Sequence, residues 1–338
     1  MNFNQPYLIA EIGQAHEGSL GMLYAYIDAV AQTGVNAVKF QTHIAQAESS
    51  AHEPFRVKFS QQDKTRYAYW ERMSFTQEQW INIGQHCKQK GLDFISSPFS
   101  NAAVDVLENA EVDAYKIGSG EVTNHLLLEK VAQTGKPVIL SSGMSSFEEL
   151  DRSIQFLKKR KVNLSILQCT TAYPTQPEQY GLNVIQELKE RYDHPIGFSD
   201  HSGTTATGIA AISLGAEILE FHVVFDKQMF GPDVPASITF DETTELVNAA
   251  HAVHRALQHP IDKTDHSAFK DVKAIFEKSL AVNKNLSKGH VLRFEDLEAK
   301  KPKGYGIDAG QYASVIGKKM NQAIEAWSFL TEDMIEPS

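Results

Sequence analysis

The feature that most constrains the fold is an alternation of short apolar segments with longer amphipathic ones, from residue 7 to about residue 257. The short segments are rich in β-branched residues and have the length of buried strands. Eight strands are predicted, at residues 7–13, 36–42, 93–97, 113–117, 137–141, 163–169, 195–199 and 216–222. Helices are predicted where the apolar residues have helical periodicity, at residues 22–33, 76–90, 146–159, 204–214 and 241–257.

Eight buried strands, each followed by a helical segment, are typical of a closed (β/α)₈ barrel, or TIM barrel, of about 250 residues. An open doubly wound sheet is less consistent with this chain, because no glycine-rich dinucleotide fingerprint follows the first strand. We therefore predict an α/β protein with a barrel domain at residues 1–258.

Three regions lie outside the regular alternation. Residues 43–74 are too long for an ordinary loop and are rich in aromatic residues, so we expect them to form a lid or an edge of an active site. Residues 259–272 are polar and lose periodicity, which indicates a linker. Residues 273–338 contain two similar stretches, beginning at Asn283 and Asn321 with a one-residue slip near their ends. These stretches predict a small β-rich module with pseudo-twofold symmetry.

Composition narrows the class of protein. The chain of 338 residues is 42% hydrophobic and carries a formal net charge of −10, so we do not expect a nucleic-acid partner. Its apolar runs are strand-sized and its start lacks a signal-peptide pattern, so we expect a soluble cytoplasmic protein without a membrane partner. Cys87 and Cys169 are too far apart for a zinc knuckle or a disulfide framework and are interpreted as small buried residues.

Polar residues occupy the predicted C-terminal ends of all eight strands, where a TIM barrel carries its chemistry. A purely structural barrel would not need them, because each buried polar group costs about 1 to 3 kcal/mol unless it is paired. The residues at these positions are Glu11, Lys39, Gln41, Ser97, Lys116, Ser119, Ser141, Gln168, Tyr173, Ser199, Asp200, His201, Glu220 and His222. We interpret this set as a functional site.

Lys39 and Lys116, together with the serines, suit an anion with several oxygens. Serine hydroxyls and the backbone N–H groups near Gly118 and Gly120 can surround a phosphate while the two ammonium groups neutralise it. The local positive charge would allow an acidic chain to bind an anionic substrate.

His201 and His222 end the seventh and eighth strands, which are neighbours in a closed barrel, so their imidazoles can converge on one ion. Two imidazoles with open positions suit Mn²⁺, Mg²⁺, Fe²⁺ or Co²⁺ as a Lewis acid; zinc stays open, but not as a closed structural site. Asp200 is a candidate to orient one imidazole. Glu11 and Glu220 are candidates either for a general acid and base or for holding sugar hydroxyls, and the sequence leaves both roles open.

Seven motifs occur in order along nearly the whole chain. They are IAEIGQAHEGSLG from Ile9, AVKFQTH from Ala37, FISSPFS from Phe94, AYKIGSGE from Ala114, VILSSGMSS from Val138, GFSDHSG from Gly197 and EFHVVFDKQMFGPD from Glu220. Together they resemble the sialic acid synthase family, which includes the legionaminic and pseudaminic acid synthases. The terminal module, with SLAVNKNLSKG and the final LTEDMI, is similar to that family's antifreeze-like domain. Each motif alone is weak, and the ordered set is specific.

The resemblance implies an enzyme that condenses phosphoenolpyruvate with an N-acylated amino sugar and releases phosphate by C–O cleavage, giving a nine-carbon 2-keto acid. It implies a divalent metal, foremost Mn²⁺ with Mg²⁺ or Co²⁺ as alternatives, on His201 and His222. Glu11, Glu220 and His222 are the candidate catalytic residues. Phosphoenolpyruvate would contact Lys39, Gln41, Ser97, Lys116, Ser119, Ser141 and Ser199. The sugar would contact Glu11, Glu121, Tyr173, Glu220, Asp233 and Lys301.

The resemblance also implies a domain-swapped homodimer, in which Lys301 of the terminal module reaches the barrel mouth of the other protomer. Three residues depart from the family's usual pattern: Ala15 and Thr171 stand where asparagine is common, and Lys301 stands where arginine is common. These departures concern the sugar side. They leave N-acetylmannosamine and a 2,4-diacetamido-trideoxyhexose as alternative acceptors.

Two rival functions use the same barrel. A Schiff-base aldolase would use Lys116 as the nucleophile with pyruvate, but it would not explain the paired histidines or the serines. A catalytically silent glycan-binding barrel would be expected to lack some of Lys39, Lys116, His201 and His222, and all four are present.

Overall fold

The computed structural model describes residues 5–337, and eight parallel strands in it form the closed barrel that the sequence predicts. The strands are β1 (Tyr7–Gly13), β2 (Ala37–Thr42), β3 (Asp93–Pro98), β4 (Ala114–Ile117), β5 (Val138–Ser141), β6 (Leu164–Cys169), β7 (Ile196–Asp200), β8 (Ile218–Val224) and a short β9 (Ser237–Thr239). Strands β1 to β8 pair in chain order, and β8 closes the barrel on β1 with Glu11 opposite His222. The ninth strand extends the sheet beyond β8.

Helices connect the barrel strands and provide apolar faces for the core. They are α1 (Leu20–Val30), α2 (Ala45–Glu48), α3 (Arg66–Met73), α4 (Gln77–Gln89), α5 (Asn101–Asn109), α6 (His125–Gln133), α7 (Phe147–Lys159), α8 (Asn183–Arg191), α9 (Thr205–Ser213) and α10 (Phe240–Leu257). Helices α4, α7 and α10 begin at capping boxes on Thr76, Ser146 and Thr239, which satisfy the free N–H groups of the first turn. The five predicted helices correspond to α1, α4, α7, α9 and α10.

The barrel interior changes from apolar to polar along the strands. Alternate strand residues point inward, and one buried cluster of such residues joins seven strands. It consists of Tyr7, Ile9, Ala37, Ile95, Ala114, Ile139, Leu167 and Ile218. Two residues further along the same strands stand Glu11, Lys39, Ser97, Lys116, Ser141, Cys169 and Glu220. The strand period of two therefore places these side chains above the apolar layer, at the C-terminal end of the barrel.

The long segment between β2 and α4 has its own small core. Tyr69, Trp70 and Met73 of α3 are buried together with Ala45, and Phe55, Phe59 and Tyr67 pack against them. Arg72 anchors the segment, because its Nη1 lies 3.0 Å from the Glu17 carboxylate and its Nη2 lies 2.7 Å from Asp63 Oδ2. The segment is therefore packed around its own core and held in place by Arg72, as expected for an edge of an active site.

The chain divides into two compact units, of which the first ends at His259 and the second begins at Pro260. The second unit contains α11 (Lys270–Phe276), β10 (Ser279–Val282) and β11 (Leu297–Lys300), and the two strands pair antiparallel. The region predicted as a linker, residues 259–272, therefore includes the start of a helix. In the described residues of both units, no helix is long and apolar enough to cross a bilayer.

The two similar stretches of the second unit pair with each other. Leu286 and Ile324 exchange backbone hydrogen bonds of 2.9 Å in both directions. The bond from Gly289 N to Met320 O at 2.8 Å has its counterpart in the bond from Trp327 N to Val282 O at 2.7 Å. These pairs keep one constant sequence offset, as do the bonds from Asn283 N to Asp296 O and from Asn321 N to Met334 O. The predicted pseudo-twofold relation is present, but the predicted one-residue slip is wrong.

Candidate active site

A pocket of about 510 Å³ lies at the C-terminal ends of the barrel strands. Fourteen of the fifteen residues to which the family resemblance assigns a role line it. They are Glu11, Lys39, Gln41, Ser97, Lys116, Ser119, Glu121, Ser141, Tyr173, Ser199, His201, Glu220, His222 and Asp233. The fifteenth, Lys301, belongs to the second unit. The structure thus brings together residues from all eight barrel strands and the loops that follow them.

Two lysines and two glutamates form the floor of the pocket, and all four are buried. Lys39 Nζ lies 2.7 Å from Glu11 Oε2 and 3.7 Å from Glu220 Oε1. Lys116 Nζ lies 3.2 Å from the same Glu220 oxygen. Each charge taken out of water is therefore offset by an opposite charge nearby, as buried ions require.

These contacts favour the ionised forms of Glu220 and Lys39. Burial raises the pKa of the Glu220 carboxyl, but Lys116 and Lys39 outweigh it and bring that pKa to about 2. Burial lowers the pKa of Lys39, but Glu11 and Glu220 outweigh it and raise that pKa above its usual value. The floor consequently presents two ammonium groups to a ligand.

Serine hydroxyls surround the lysines. Ser97 Oγ accepts from Lys39 Nζ at 3.3 Å, and Ser199 Oγ donates to Glu220 Oε1 at 3.2 Å. Ser119 Oγ accepts from the backbone N–H of Gly143 at 3.1 Å. Ser141 Oγ is buried and has no hydrogen-bond partner among the described residues. A buried hydroxyl without a partner in a polar pocket indicates a place for a ligand oxygen.

His201 and His222 lie side by side, with ring centroids 5.3 Å apart. His201 Nδ1 lies 3.1 Å from the carbonyl oxygen of Thr170, a contact that places the lone pair of the neutral ring on Nε2. Burial lowers the pKa of His201, but Cys169 and Glu220 outweigh it and raise that pKa above its usual value, so a metal ion would compete with a proton for this nitrogen. Burial lowers the pKa of His222 to about 3, so its imidazole is neutral and can act as a ligand. The Tyr173 ring lies 4.2 Å from the His201 ring and 5.9 Å from the His222 ring.

The donor set fits a divalent metal held by two imidazoles. No group of three or more His, Cys, Asp or Glu side chains within residues 5–337 is arranged to hold an ion. The pair would therefore leave the remaining positions of a metal for water or substrate, as a Lewis-acid site requires.

Two of the polar residues predicted at strand ends, Asp200 and Gln168, do not line this pocket. Asp200 Oδ1 accepts from the backbone N–H of Ser202 at 2.8 Å, so it shapes the turn after β7 and makes no hydrogen bond to an imidazole. Gln168 Oε1 accepts from Ser142 Oγ at 3.2 Å. Each is one residue out of phase with the inward-facing positions, and the strand period of two directs it away from the barrel axis. Both expectations are corrected.

Three of the residues predicted for the sugar, Glu121, Tyr173 and Asp233, line the pocket outside the charged floor. Arg56 lies over the Tyr173 ring, 4.3 Å from its centroid, and its Nη2 is 3.4 Å from Asp233 Oδ1. Glu121 Oε2 accepts from Asn124 at 2.7 Å, and burial raises the pKa of the Glu121 carboxyl. Tyr173, Asp233 and Glu121 all line the pocket, and Arg56 links the first two.

Sequence reasoning missed several residues of the pocket. The segment predicted as an edge supplies His43, Glu48, Glu53, Arg56, Arg66 and Trp70. Its length and aromatic content indicated the segment, but no periodicity indicated which side chains face inward. Cys169 also lines the pocket, 3.8 Å from His201 Nδ1. Its position two residues after the inward-facing Leu167 is the signal that could have identified it. Of the three departures, Thr171 lines the pocket and Ala15 does not.

The arrangement favours binding of an anion beside a polar organic molecule. Lysine ammonium groups and serine hydroxyls suit phosphate and carboxylate oxygens, and carboxylates with a tyrosine suit hydroxyl and amide groups. Lys116 is ion-paired with Glu220 at 3.2 Å, so its amino group is engaged by a carboxylate on the floor of the pocket.

Known proteins carry the same sequence pattern and fold. The NeuB family model matches residues 26–262. The chain is 31% identical to N,N′-diacetyllegionaminic acid synthase of Campylobacter jejuni over 317 residues, covering 92% of this chain and 94% of that protein. It is 32% identical to human N-acetylneuraminate-9-phosphate synthase over 336 residues, covering 98% and 92%. The structure of N-acetylneuraminic acid synthetase from Leptospira borgpetersenii in complex with citrate matches with a TM-score of 0.71 and 28% identity, over 80% of this chain and 92% of that one. The chain belongs to the NeuB family of synthases.

Proposed function

We propose that the protein is a nonulosonic acid synthase that condenses phosphoenolpyruvate with an N-acylated amino sugar. The products are a nine-carbon 2-keto acid and inorganic phosphate. One observation carries the proposal: in a NeuB-family barrel, Lys39 and Lys116 are buried on the floor of a 510 Å³ pocket and ringed by serines.

Phosphoenolpyruvate is assigned to this floor. Its phosphate and carboxylate would take hydrogen bonds from Lys39, Lys116 and Gln41 and from the hydroxyls of Ser97, Ser119, Ser141 and Ser199. The unpartnered Ser141 Oγ supports this assignment, because a ligand oxygen would satisfy it. Charge-assisted hydrogen bonds from two ammonium groups are strong in a site shielded from water.

The reaction forms one C–C bond and one C–O bond, the latter from water, and breaks the C–O bond to phosphate. C3 of the enol attacks the aldehyde carbon of the open-chain sugar, and the former aldehyde oxygen takes up a proton. Water adds to C2 and loses one proton. Phosphate then leaves from C2 with the bridging oxygen and takes up the second proton of that water, so that C2 becomes the keto carbon. The chain's contribution is to hold both substrates in the same pocket, which replaces a bimolecular encounter by an oriented one. Glu11 and Glu220 are assigned to proton transfer or to sugar hydroxyls.

A divalent metal, Mn²⁺ with Mg²⁺ or Co²⁺ as substitutes, would be held by His201 and His222 and would polarise the sugar aldehyde as a Lewis acid. The two buried imidazoles support this assignment, because His222 is neutral and His201 keeps one nitrogen free. The Tyr173 ring beside both imidazoles limits the access of water to them.

The acceptor is proposed to be N-acetylmannosamine or a 2,4-diacetamido-trideoxyhexose. Glu11, Glu121, Tyr173, Glu220 and Asp233 are assigned to its hydroxyl and N-acyl groups. The product named for the Campylobacter jejuni relative supports the second acceptor. Lys301 is assigned to the acceptor from a second protomer, in a domain-swapped homodimer.

A phosphate-release assay tests the function. Metal-depleted enzyme is given phosphoenolpyruvate and a panel of 2-acetamido and 2,4-diacetamido hexoses, with and without Mn²⁺. We expect phosphate release that needs both a sugar and the metal. No phosphate with any sugar, after the metal is restored, would contradict the proposal. Borohydride trapping with pyruvate serves as a control, because a stable adduct on Lys116 would support the aldolase instead.

Two variants separate the assigned roles. His222→Ala is expected to abolish turnover, because it removes one of two imidazoles assigned to the metal. Lys301→Ala is expected to raise the KM for the sugar with little change in kcat. Equal loss of kcat in both variants would contradict the role assigned to the second unit, and light scattering of the intact enzyme tests the dimer.

A further inference from the structure

Glu48, His43, Gln41 and Glu11 form a continuous line of polar contacts along one wall of the pocket. His43 directly follows β2, and Glu48 ends the short helix α2 of the edge segment. His43 and Glu48 are not among the residues to which the reaction above assigns a role. The line ends at Glu11, on the floor beside Lys39.

The imidazole of His43 is fixed in orientation. Its ring is stacked between the Trp70 ring at 3.7 Å and the Phe99 ring at 4.5 Å, with interplanar angles of 15° and 9°. Nδ1 lies 2.5 Å from Glu48 Oε1, and the other oxygen of Glu48 accepts from the backbone N–H of Ile44 at 3.3 Å. Both the plane of the ring and its rotation within that plane are therefore determined.

This fixed ring contacts the oxygen of the Gln41 amide. Nε2 of His43 lies 3.4 Å from Gln41 Oε1, and Gln14 Nε2 donates to the same oxygen at 3.4 Å. The amide nitrogen of Gln41 is then turned toward the floor, where it donates to Glu11 Oε1 at 2.9 Å. Because the amide oxygen of Gln41 can only accept, His43 Nε2 is the donor in this contact.

We propose that His43, anchored by Glu48, is a positioning residue that holds the Gln41 amide with its N–H donors directed into the pocket. This inference rests on the proposed function, in which Gln41 contacts phosphoenolpyruvate. An amide in the opposite orientation would present its oxygen to an anionic ligand, which repels it. The edge segment would thus act on the floor of the site through a single side chain.

A double-mutant cycle tests the inference. His43→Phe keeps the aromatic stack and removes both ring nitrogens. We expect it to raise the KM for phosphoenolpyruvate about 5- to 10-fold, the effect of one hydrogen bond, with kcat changed less than about threefold. Because His43 acts through Gln41, the double variant His43→Phe/Gln41→Ala should bind no worse than Gln41→Ala alone. His125→Phe is the matched control, since that histidine stacks on Phe156 outside the pocket. Its Nε2 lies 3.4 Å from Ser153 Oγ, the same distance as that from His43 Nε2 to Gln41 Oε1.

The outcomes distinguish this inference from the proposed function. Additive losses in the cycle, or an unchanged KM in His43→Phe, would overturn the positioning role while leaving the synthase activity in place. Absence of activity in the wild-type enzyme would instead count against the proposed function. In that case crystal structures of wild type and His43→Phe decide: a Gln41 amide displaced from Glu11 supports the inference, and an unmoved amide overturns it.

Discussion

At the scale of single residues, the inward-facing positions of a strand supply both the apolar layer of the barrel and the charged floor of the pocket. Ile9 and Glu11 point to the same interior, as do Ala37 and Lys39, because they are two positions apart on a strand. One member of each pair contributes to the apolar layer and the other to the charged floor. The charges are tolerated because lysines and glutamates lie within ion-pair distance of each other.

Gly197 allows two barrel strands to approach closely. A Cβ at this position would lie 2.4 Å from the carbonyl oxygen of Ile218 and 2.4 Å from Leu167 Cδ2. We expect Gly197→Ala to lower the free energy of unfolding by about 2 to 3 kcal/mol, since a backbone atom cannot give way cheaply. Gly21→Ala is the control: no atom lies within 4 Å of its Cβ, and a gain of up to about 1 kcal/mol is expected in helix α1. Urea denaturation of both variants checks the contrast, and equal effects would contradict it.

Asp296 makes the second unit sensitive to acid. Burial raises its pKa, but hydrogen bonds from Lys284, His290 and the backbone N–H of Arg293 outweigh it and bring the pKa to about 2, below the ordinary value of 3.8. A folded-state pKa below the unfolded one gives stability that is present above about pH 4 and lost as the pH falls toward 2. Asp296→Asn should therefore cost about 2 kcal/mol at pH 7 and reduce the loss of stability between pH 4 and 2.

Hydrogen exchange of peptides from the second unit measures this effect across the pH range. The exposed Asp333→Asn variant serves as the control. Parallel pH profiles for wild type and Asp296→Asn would show that the carboxylate does not stabilise this unit.

At the scale of elements, the segment between β2 and α4 differs from an ordinary connection. It has an aromatic cluster of its own and supplies nine pocket residues, although it adds no strand to the barrel. Its tether is Arg72, which donates to the carbonyl oxygen of Glu17 at 3.0 Å as well as to two carboxylates. The outer wall of the pocket therefore depends on how firmly this one segment is held.

Removing the tether should loosen the segment without unfolding the barrel. We expect Arg72→Met to increase hydrogen exchange in residues 44–73 about 5- to 10-fold or more, the effect of one or two charge-assisted hydrogen bonds, with the barrel strands unchanged. Arg152→Met, which breaks an exposed pair with Glu148 on α7, should leave exchange in this segment unchanged. Uniformly faster exchange throughout the barrel in Arg72→Met would show that the residue supports the whole unit.

At the scale of the whole molecule, two cores with different patterns lie in one chain. The barrel buries apolar residues between its strands and its outer helices. The second unit buries a smaller cluster around Leu280, Val282, Leu292 and Leu330. Each unit has its own core, which is the physical requirement for folding independently.

A protein truncated after His259 tests this independence. We expect residues 1–259 to fold cooperatively and to bind phosphoenolpyruvate with a Kd within about threefold of the full chain, because every residue assigned to that ligand lies in the barrel. Circular dichroism and calorimetric titration measure the two properties. A truncated barrel that folds but loses phosphoenolpyruvate binding would contradict the assignment of that ligand to the barrel alone.

The prediction from sequence was accurate where one segment carries all the information. The strand from Tyr7 to Gly13 has the bounds that its apolar pattern predicted, and helix α7 ends at Lys159, where its periodicity predicted. Gln168 and Asp200 were predicted for the site because they stand near strand ends. Each is one residue out of phase with the inward-facing positions, so its side chain points away from the pocket. The one-residue slip predicted between the two similar stretches was wrong. It came from matching residues of similar type, whereas the backbone hydrogen bonds relate the two stretches by one constant difference in residue number.

The sequence by itself determined the (β/α)₈ barrel, the ends of its strands, the family and the residues of the floor, because strand period, capping and motifs are local properties. Tertiary structure alone decided how the floor charges pair, and it brought His43, Glu48 and Arg56 to the pocket. The reason is physical: an irregular segment has no period to direct its side chains. The position of His43 follows from packing against Trp70 in the segment and Phe99 outside it. The position of Arg56 follows from packing against Tyr173, which is distant in the chain.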